Sequence, residues 1–245
     1  MSPSAPPGVV AVLGARNLGG AIAGHFLAQG WSAAAIARSE GSLIGVREAG
    51  ALGVPADAAD PQGLAGALAR VRDELGGLDA VVNAVSASRR REGEPFGGGP
   101  LADATLDGFR RWGGAVAEQS FVFLSEGARA LRAGRSGGAL VQVTGGSSRR
   151  AMPGKGPWSA GAFSARALVQ AAALELREEG IHVALLVVDA TIESAKTASS
   201  TADSPRDALA DQDEVARAAF YLATQDRRAM SHELVVTPAG DRWVP

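Results

Sequence analysis

Seven short apolar segments recur along the chain, and longer stretches with helical periodicity separate them. The segments are apolar at nearly every position instead of alternating with polar residues, which indicates strands that are covered on both faces of a sheet. The strand candidates are residues 9–13, 32–37, 51–56, 79–85, 139–144, 182–188 and 233–236. This pattern constrains the fold more than any single motif does, because only a few architectures cover both faces of a sheet.

The stretches between the strand candidates predict helices at residues 19–29, 61–75, 105–133, 158–179 and 213–223. Strands that alternate with helices are joined by right-handed crossovers, which make neighbouring strands parallel. We therefore predict an α/β fold, namely a single Rossmann-type doubly wound parallel sheet of about seven strands with helices on both faces. The length of 245 residues fits one such domain at 9–245, after a flexible N-terminal tail at 1–8.

The composition argues against several classes of function. The formal net charge is −2, so no large basic surface is expected and nucleic acid is not a predicted partner. The chain has no cysteine, and its three histidines lack the spacing of metal ligands, so no metal site is predicted. No segment approaches the ~20 apolar residues of a membrane span, and the N-terminus lacks a basic leader. We expect a cytoplasmic protein that binds a small molecule and not a membrane.

The first strand candidate leads into a glycine-rich turn and then into a helix, in the segment VVAVLGARNLGGAIAGHFLAQG at 9–30. Glycine lets the backbone approach a pyrophosphate closely, and the free N–H groups at the start of the helix point at that group. A strand, a glycine turn and a helix in this order favour nucleotide binding. The alternative is a tight turn that binds nothing.

The turn, together with three later segments, resembles the short-chain dehydrogenase/reductase family. The family turn reads Thr-Gly-x-x-x-Gly-x-Gly, and a turn one residue shorter aligns Gly14, Asn17 and Gly19 with its glycines. Asn tolerates left-handed backbone angles better than most residues do. The later segments LDAVVNAVS, WSAGAFSARALVQAAALEL and DATIES resemble further family patterns in the same order along the chain. The first and the last match only in part, since Val85, Ser86, Asp189 and Ala190 depart from the family residues.

The resemblance implies a dinucleotide site. The residues that it assigns to the cofactor are Gly14, Arg16, Asn17, Leu18, Gly19, Arg38, Asp57, Asn83, Ala84 and Ile192. The end of the second strand distinguishes the two nicotinamide cofactors, since an acid there binds the ribose hydroxyls of NAD and an Arg accepts the 2′-phosphate of NADP. Arg38 occupies this position and Arg16 lies in the turn, so NADP is preferred over NAD. The alternative is that Arg38 is simply a solvated loop charge.

The family's catalytic side chains are missing. Family members use a Tyr as acid and base, a Lys four residues later, a Ser and an Asn, whereas the alignment puts Trp158, Ala162, Gly145 and Val116 at these positions. A phenol with a pKa of ~10 needs a neighbouring cation to exchange protons at neutral pH, and an indole cannot replace it. No other alignment restores the set, because the chain has one tyrosine, Tyr221, for which packing in a helix is expected.

Three side chains near the lost positions are candidate replacements: Ser147, Ser148 and Lys155. Lys155 has glycine neighbours, so a solvated lysine without a catalytic role is the alternative for it. Two functions remain open. One is an NADP(H)-dependent oxidoreductase with a degenerate or rebuilt proton-transfer site, acting on a carbonyl or an alcohol. The other is a non-catalytic relative that acts as a sensor, scaffold or partner subunit; a site for some other phosphorylated ligand is a third possibility.

Two long polar segments, 88–100 and 191–212, follow the fourth and sixth strand candidates. Both begin at the edge where open α/β sheets bind ligands, so both are lid candidates, with plain surface insertion as the alternative. By analogy with the family, the long helices at 105–133 and 158–179 are expected to join subunits in a homodimer or homotetramer. His182 is expected to be a structural residue at the start of its strand.

Overall fold

The computed structural model of the protein describes residues 7–86, 91–134 and 137–241. Nine strands are β1 (Val9–Leu13), β2 (Ser32–Ala37), β3 (Leu52–Pro55), β4 (Ala80–Asn83), β5 (Gly138–Gly145), β6 (Ile181–Val188), β7 (Thr191–Ile192), β8 (Leu209–Ala210) and β9 (Glu233–Val236). Seven of them form one sheet in the order β3-β2-β1-β4-β5-β6-β9, and every neighbouring pair is parallel. The predicted doubly wound sheet of seven strands is confirmed.

Helices cover both faces of this sheet. They are α1 (Leu18–Ala28), α2 (Glu40–Glu48), α3 (Pro61–Leu75), α4 (Leu106–Phe109), α5 (Ala115–Arg132), α6 (Gly156–Glu175), α7 (Ala198–Thr201) and α8 (Gln212–Ala223), with 3₁₀ turns at Gly146–Ser148 and Arg206–Ala208. Helices α3, α5 and α6 contribute to one buried apolar cluster, and α1, α2 and α8 contribute to the other. In the ranges that the structure describes, no helix combines the length and the apolar character that a membrane crossing needs.

The central strands are buried on both sides, as their continuous apolar sequences predict. All five residues of β1 and all eight of β6 are buried. Their side chains point alternately into the two clusters, since Val10 and Val12 pack with one and Ala11 and Leu13 with the other. The ordered chain begins before β1, because the carbonyl of Gly8 accepts a hydrogen bond from the Ser32 amide at 2.9 Å. Residues 1–6 of the predicted tail lie outside the described residues.

Helix α3 illustrates how local sequence sets the element boundaries. Asp60 is the N-cap and accepts a hydrogen bond from the Gly63 amide at 2.7 Å, while Pro61 occupies the first helical position. The helix ends at Gly76, whose φ of 76° is left-handed and favours glycine. These signals are all local, and the predicted helix at 61–75 is confirmed residue for residue.

The chain is helical from 106 to 132, as the predicted helix at 105–133 requires, but the helix contains a π-helical turn that the sequence did not predict. A five-residue π-helical turn at Arg110–Gly114 lies between α4 and α5. Its physical reason is close helix packing: a Cβ on Gly113 would lie 2.5 Å from the carbonyl oxygen of Pro157, and one on Gly161 would lie 2.6 Å from that of Gly113. The backbones of this turn and of α6 therefore nearly touch, beside the region where the resemblance places catalysis.

Helix α2 was not predicted from the sequence. Its nine residues include two glycines, and only Leu43 and Val46 are buried, so its apolar periodicity is weak. Packing against α1 and against β2 and β3 stabilises it instead.

The two lid candidates differ in what can be described. In the first, residues 87–90 lie outside the described residues, and 91–100 form turns that contact the start of α6, where the Trp158 amide donates to the carbonyl of Gly97 at 3.2 Å. In the second, β7 and β8 pair in parallel and flank α7, and the Glu193 amide donates to the Ala210 carbonyl at 2.9 Å. The segment 191–212 is thus an ordered excursion above the carboxyl end of β6.

Tyr221 lies on α8, two residues before its last residue, Ala223. This helix runs from the carboxyl edge of the sheet back to the amino edge, so Tyr221 lies roughly 13 Å below the start of α8. Its side chain is half exposed, so the expectation that it packs in the helix interface is corrected. The single tyrosine of the chain is on the outside of α8, away from the carboxyl edge.

His182 is buried in β6, as expected of a structural residue, but among the described residues neither ring nitrogen has a hydrogen-bond partner of good geometry. Burial, together with the nearby His232 ring at 5.2 Å, lowers the pKa of His182 from 6.5 to about 4. The charged form is therefore disfavoured in the folded protein, and His182 is neutral at pH 7.

This buried histidine predicts acid sensitivity. Between pH 6.5 and pH 4 the unfolded chain takes up a proton at this residue that the folded protein does not, so the free energy of unfolding falls as the pH falls, by about 3 kcal/mol at most. His182→Leu removes the titrating group, and urea unfolding in acetate and MES buffers is expected to show a smaller stability loss over this range. His25→Gln, at a half-buried histidine on α1, is the control with a smaller expected change. Equal pH slopes in wild type and His182→Leu would contradict the assignment.

Candidate functional site

The residues predicted to bind a cofactor all follow carboxyl ends of strands. Five follow β1, and the others end or follow β2, β3, β4 and β7. Because all strands of the main sheet are parallel, the ends of β1, β2, β3 and β4 lie along one edge, and β7 follows the end of β6 at that edge. The strand order reverses between β1 and β4, and the crevice at such a reversal is where open α/β sheets bind ligands.

The turn between β1 and α1 has the short geometry that the sequence predicted. Gly14 has a φ of 101°, and its amide donates to the Ile36 carbonyl at 2.8 Å. A Cβ on Gly19 would lie 2.4 Å from the carbonyl oxygen of Gly14, so only glycine permits this contact. Asn17 is the one non-glycine residue in the described ranges with positive φ, at 50°. A strained backbone of this kind is typical of ligand-binding turns.

Helix α1 begins with the electrostatics of an anion site. Asn17 is its N-cap, the first turn contains no acidic residue, and Leu18 and Gly19 are buried in that turn. The positive end of the helix dipole is therefore not neutralised by the protein itself. Asn17 is exposed and its side chain makes no capping bond, so both the side chain and the turn are accessible to a ligand.

Arg16 and Arg38 project from this edge as exposed side chains. Within the described part of the chain, neither makes an ion pair or a hydrogen bond through its guanidinium. The acid nearest to Arg38 in sequence is Glu40, whose carboxylate binds Arg47 on α2 at 2.6 Å. The two arginines thus remain available to an anion, while the neighbouring carboxylate is already paired.

Asp57 and Ile192 have partly buried positions. The carboxylate of Asp57 accepts a hydrogen bond from the Ala59 amide at 3.0 Å, which stabilises the turn between β3 and α3. Ile192 packs against the cluster beneath α1 and α8. Asp57 therefore has a structural task that the sequence pattern did not reveal.

Asn83 is completely buried, and its side chain belongs to a polar network inside the protein. Its amide nitrogen donates to Gln119 on α5 and to Gln142 on β5, both at 2.8 Å, and its oxygen accepts from the Val85 amide at 3.2 Å. Because these bonds use the amide fully, a ligand can contact this strand end only through the backbone around Ala84. Sequence analysis missed both glutamines, although Gln142 was detectable as a polar residue within the apolar segment ALVQVT.

At the position of the family tyrosine, Trp158 is part of an aromatic cluster. Its ring centroid lies 5.8 Å from that of Phe96 and 5.9 Å from that of Trp112. Ala162, at the position of the family lysine, is buried where α6 packs against the sheet and its neighbours. No hydroxyl or ammonium group replaces the missing pair at these two backbone positions.

Lys155 immediately precedes α6 and is half buried. Its Nζ atom lies 5.4 Å from the ring centroid of Phe96, and a Cβ on Gly97 would lie 2.9 Å from its Cα. The lysine backbone is therefore packed against the 97–99 turn, and its ammonium group faces an aromatic ring. Lys155 is still partly exposed to solvent, so the solvated alternative for this residue stays open.

The two serine candidates differ in availability. Ser148 is buried, and its Oγ donates to the Gly145 carbonyl at 2.9 Å, which ties it to its own turn. Ser147 is half buried and makes no side-chain hydrogen bond in the described structure. Of the pair, Ser147 is the one whose hydroxyl remains available.

An ion pair that the sequence did not predict closes the end of β6. Asp189 is buried and binds Arg150, which follows the 3₁₀ turn after β5. A Cβ on Gly146 would lie 1.9 Å from an oxygen of Asp189, so the carboxylate fits only because residue 146 is glycine. The glycine at position 146 and the carboxylate at position 189 are thus structurally coupled.

A cavity of about 1010 Å³ adjoins the turn, between α1, α2 and the 193–213 segment. Asn17, Ala15 and Gly20 line it from α1 and its turn, and Ser194 and Thr201 line it from the opposite side. The ordered 191–212 segment therefore forms one wall of a space that begins at the predicted phosphate-binding turn.

Comparisons with known proteins agree with this geometry. A family model described as enoyl-(acyl carrier protein) reductase matches residues 12–240. No protein with a curated description matches the sequence significantly. The chain belongs to the short-chain dehydrogenase/reductase family.

Solved structures share the fold at low sequence identity. A short-chain dehydrogenase from Rhodopseudomonas palustris is 24% identical with a TM-score of 0.73, over 94% of this chain and 98% of that one. An alcohol dehydrogenase from Thermococcus sibiricus, complexed with 5-hydroxy-NADP, is 21% identical with a TM-score of 0.75, over 97% and 100%. A short-chain oxidoreductase from Pseudomonas aeruginosa with an atypical catalytic center, bound to NADPH, is 20% identical with a TM-score of 0.78, over 96% and 97%.

Proposed function

We propose that the protein binds NADP(H) at the carboxyl edge of the sheet, in preference to NAD(H). The observation that supports this most strongly is the pair of exposed, unpaired arginines, Arg16 and Arg38, beside a helix start without acidic residues. A guanidinium group pairs with a phosphate dianion through two hydrogen bonds, whereas a carboxylate at the end of β2 would repel it. The residues that would hold the dinucleotide are Gly14, Arg16, Asn17, Leu18, Gly19, Arg38, Asp57, Asn83, Ala84 and Ile192, with Asn83 contributing only its backbone because its side chain is bound to Gln119 and Gln142.

We further propose an oxidoreductase that acts on a carbonyl or an alcohol without the family's Tyr and Lys. The nicotinamide cofactor, when bound, supplies or accepts the hydride. The protein has to hold the substrate oxygen and move a proton, and Lys155 and Ser147 are the side chains near α6 and β5 that could do so. Support comes from the packed position of Lys155 over Phe96, since a catalytic group needs fixed geometry.

A non-catalytic nucleotide-binding protein is the second candidate function. Two observations favour it: Ser148 is bound to its own turn, and the lysine position is the buried methyl group of Ala162. Such a protein would use the dinucleotide as a signal or as a structural ligand for a sensor, scaffold or partner subunit. The Pseudomonas aeruginosa neighbour supports NADPH binding with an atypical catalytic center, and it is consistent with either function.

We also propose that the protein forms a homodimer or homotetramer through α5 and α6, in line with the predicted 105–133 and 158–179 helices. Large apolar side chains are exposed on these helices: Phe121, Phe163 and Leu174. Large exposed apolar residues on two neighbouring helices are typical of subunit interfaces. A cytoplasmic location stays a prediction.

Cofactor preference is tested by Arg38→Asp. This substitution removes the charge-assisted bonds to the 2′-phosphate and puts a repelling carboxylate in their place. NADPH binding is therefore expected to weaken at least tenfold, while NADH binding is kept or improved. Tryptophan fluorescence titration measures both affinities, since Trp158 lies at the family's catalytic position. Arg70→Asp, an exposed site on α3, gives the same charge change as a control. If wild type bound neither dinucleotide at millimolar concentration, the proposed function would be wrong.

Turnover distinguishes the two candidate functions. The wild-type protein is expected to oxidise NADPH when it is given members of a panel of ketones, aldehydes and quinones. The Lys155→Met variant keeps the aliphatic stem of the side chain, and it is expected to lower kcat about 100-fold with NADPH affinity unchanged. Ser147→Ala should lower the rate more than Ser148→Ala, because Ser148 is bound to Gly145. Tight NADPH binding without turnover on any member of the panel would favour the non-catalytic protein.

Oligomeric state is tested by sedimentation equilibrium. Wild type is expected at two or four times the chain mass of 24.8 kDa, and Phe121→Asp is expected to shift it toward the monomer, because a charge would be buried between subunits. Ile44→Asp, an equally exposed site on α2, should leave the mass unchanged. A wild-type mass of one chain at micromolar concentration would rule out the proposed assembly.

A further inference from the structure

A second cavity, of about 520 Å³, lies at the amino edge of the sheet, opposite the proposed cofactor site. It is enclosed by the end of α6, the starts of β6 and β9 and the 227–230 loop. Five of its ten lining residues are basic and none is acidic; the basic ones are Arg177, His182, Arg227, Arg228 and His232. Since β6 is eight residues long, about 25 Å separates this cavity from the carboxyl edge.

The positive charge of this cavity is largely unneutralised. Arg177 and Arg227 are exposed, and the described residues include no carboxylate paired with either. Arg228 alone binds an acid, Asp226, at 3.2 Å on the exposed loop. The carboxylates on the flanking elements are engaged elsewhere or face away: Glu179 binds Arg132, Glu233 binds Arg166 and Arg149, and Glu178 is exposed outside the cavity.

Arg227 is held in place by the backbone. Its guanidinium lies over Gly180, where a Cβ would be 3.1 Å from both terminal nitrogens, and Gly180 has a φ of 76°. The arginine therefore lies flat against the turn between α6 and β6. A planar guanidinium in a defined position, with free N–H groups, is suited to an oxyanion.

The two histidines form the inner wall. His182 is 5% exposed and lines the cavity; its ring is close to the backbone of Ser231, but neither nitrogen makes a hydrogen bond of good geometry in the described structure. His232 lies against it, with ring centroids 5.2 Å apart, and its Nδ1 is 3.1 Å from the Val183 carbonyl. Because a carbonyl can only accept, Nδ1 of His232 has the proton, and Nε2 is its remaining polar atom. The inner wall therefore offers imidazole nitrogens, and the two unpaired arginines at the mouth supply positive charge without an acidic residue among the lining side chains.

We propose that this cavity binds a phosphate-type oxyanion, either free phosphate or the phosphate group of a small phosphomonoester. Arg177 and Arg227 contact the oxygens at the mouth, and the imidazole rings of His182 and His232 form the inner wall behind the anion. Such binding would stabilise the charged form of His182 and would oppose the loss of stability at acid pH. The site does not depend on the proposed function, because it shares no residue with the cofactor edge.

The proposal is tested on the full chain with sodium phosphate and glycerol 3-phosphate at constant ionic strength, pH 6.0, by calorimetry and thermal unfolding. We expect saturable binding in the millimolar range or tighter and a rise in Tm. Arg177→Gln/Arg227→Gln is expected to weaken binding at least tenfold. Arg70→Gln removes one charge from a distant surface and is expected to leave binding unchanged, as is Arg38→Gln, which alters only the cofactor edge.

Two results identify the natural form of the ligand and the residue involved. Tighter binding of glycerol 3-phosphate than of phosphate would assign the site to a phosphomonoester, and the reverse would assign it to the free anion. Proton NMR of the imidazole C2–H is expected to show the pKa of His182 rising when phosphate binds. All substituted arginines are exposed, so circular dichroism should match wild type.

Three outcomes would overturn the proposal. One is the absence of saturable binding up to 50 mM. Another is loss of binding in Arg38→Gln with full binding in the double variant, because the anion would then occupy the 2′-phosphate position of the cofactor edge. The third is a change of oligomeric mass in Arg177→Gln/Arg227→Gln without a change in phosphate affinity, which would make this surface a subunit contact.

Discussion

The structure depends on the burial of β1 between two parallel neighbours. β1 pairs with β2 and β4 over almost its whole length, and every one of its side chains is buried. Burial on both faces makes the strand direction and register costly to change, since a shift of one residue would exchange the side chains that enter the two clusters. The chain must then leave β1 at the carboxyl edge, where the turn at Gly14 and the start of α1 form the proposed phosphate site.

The two edges of this sheet differ in their chemistry. The carboxyl edge holds backbone amides, two free arginines and an aromatic cluster around Trp158, while its buried carboxylate at Asp189 is neutralised by Arg150. The amino edge holds the His182 and His232 pair and two further arginines. Unpaired basic side chains therefore lie at both the carboxyl edge and the amino edge of the sheet. The length of the strands separates these two proposed sites by about 25 Å.

Much of the fold was predictable because its signals are local. The apolar strand segments and the cap and proline of α3 depend only on neighbouring residues, and the turn glycines Gly14 and Gly19 were recognisable from their place after a strand. Helix α2 was not predictable, because tertiary contacts stabilise it. The π-helical turn was not predictable either, because the close approach of Gly113 to α6 produces it. The same is true of the Asn83 network, since Gln119 and Gln142 are distant in sequence and meet only through the packing of α5 against the sheet.

The sequence by itself determined the family and the order of the parallel units, because each follows from residue identity and local pattern. Tertiary structure alone decided which polar groups are available. Ser148 and Asn83 are taken up by internal hydrogen bonds, Lys155 is packed over Phe96, and Asp189 requires the space that Gly146 leaves. The physical reason is that a side chain's hydrogen-bonding capacity is used by whatever lies within about 3 Å of it, and those neighbours come from distant parts of the chain.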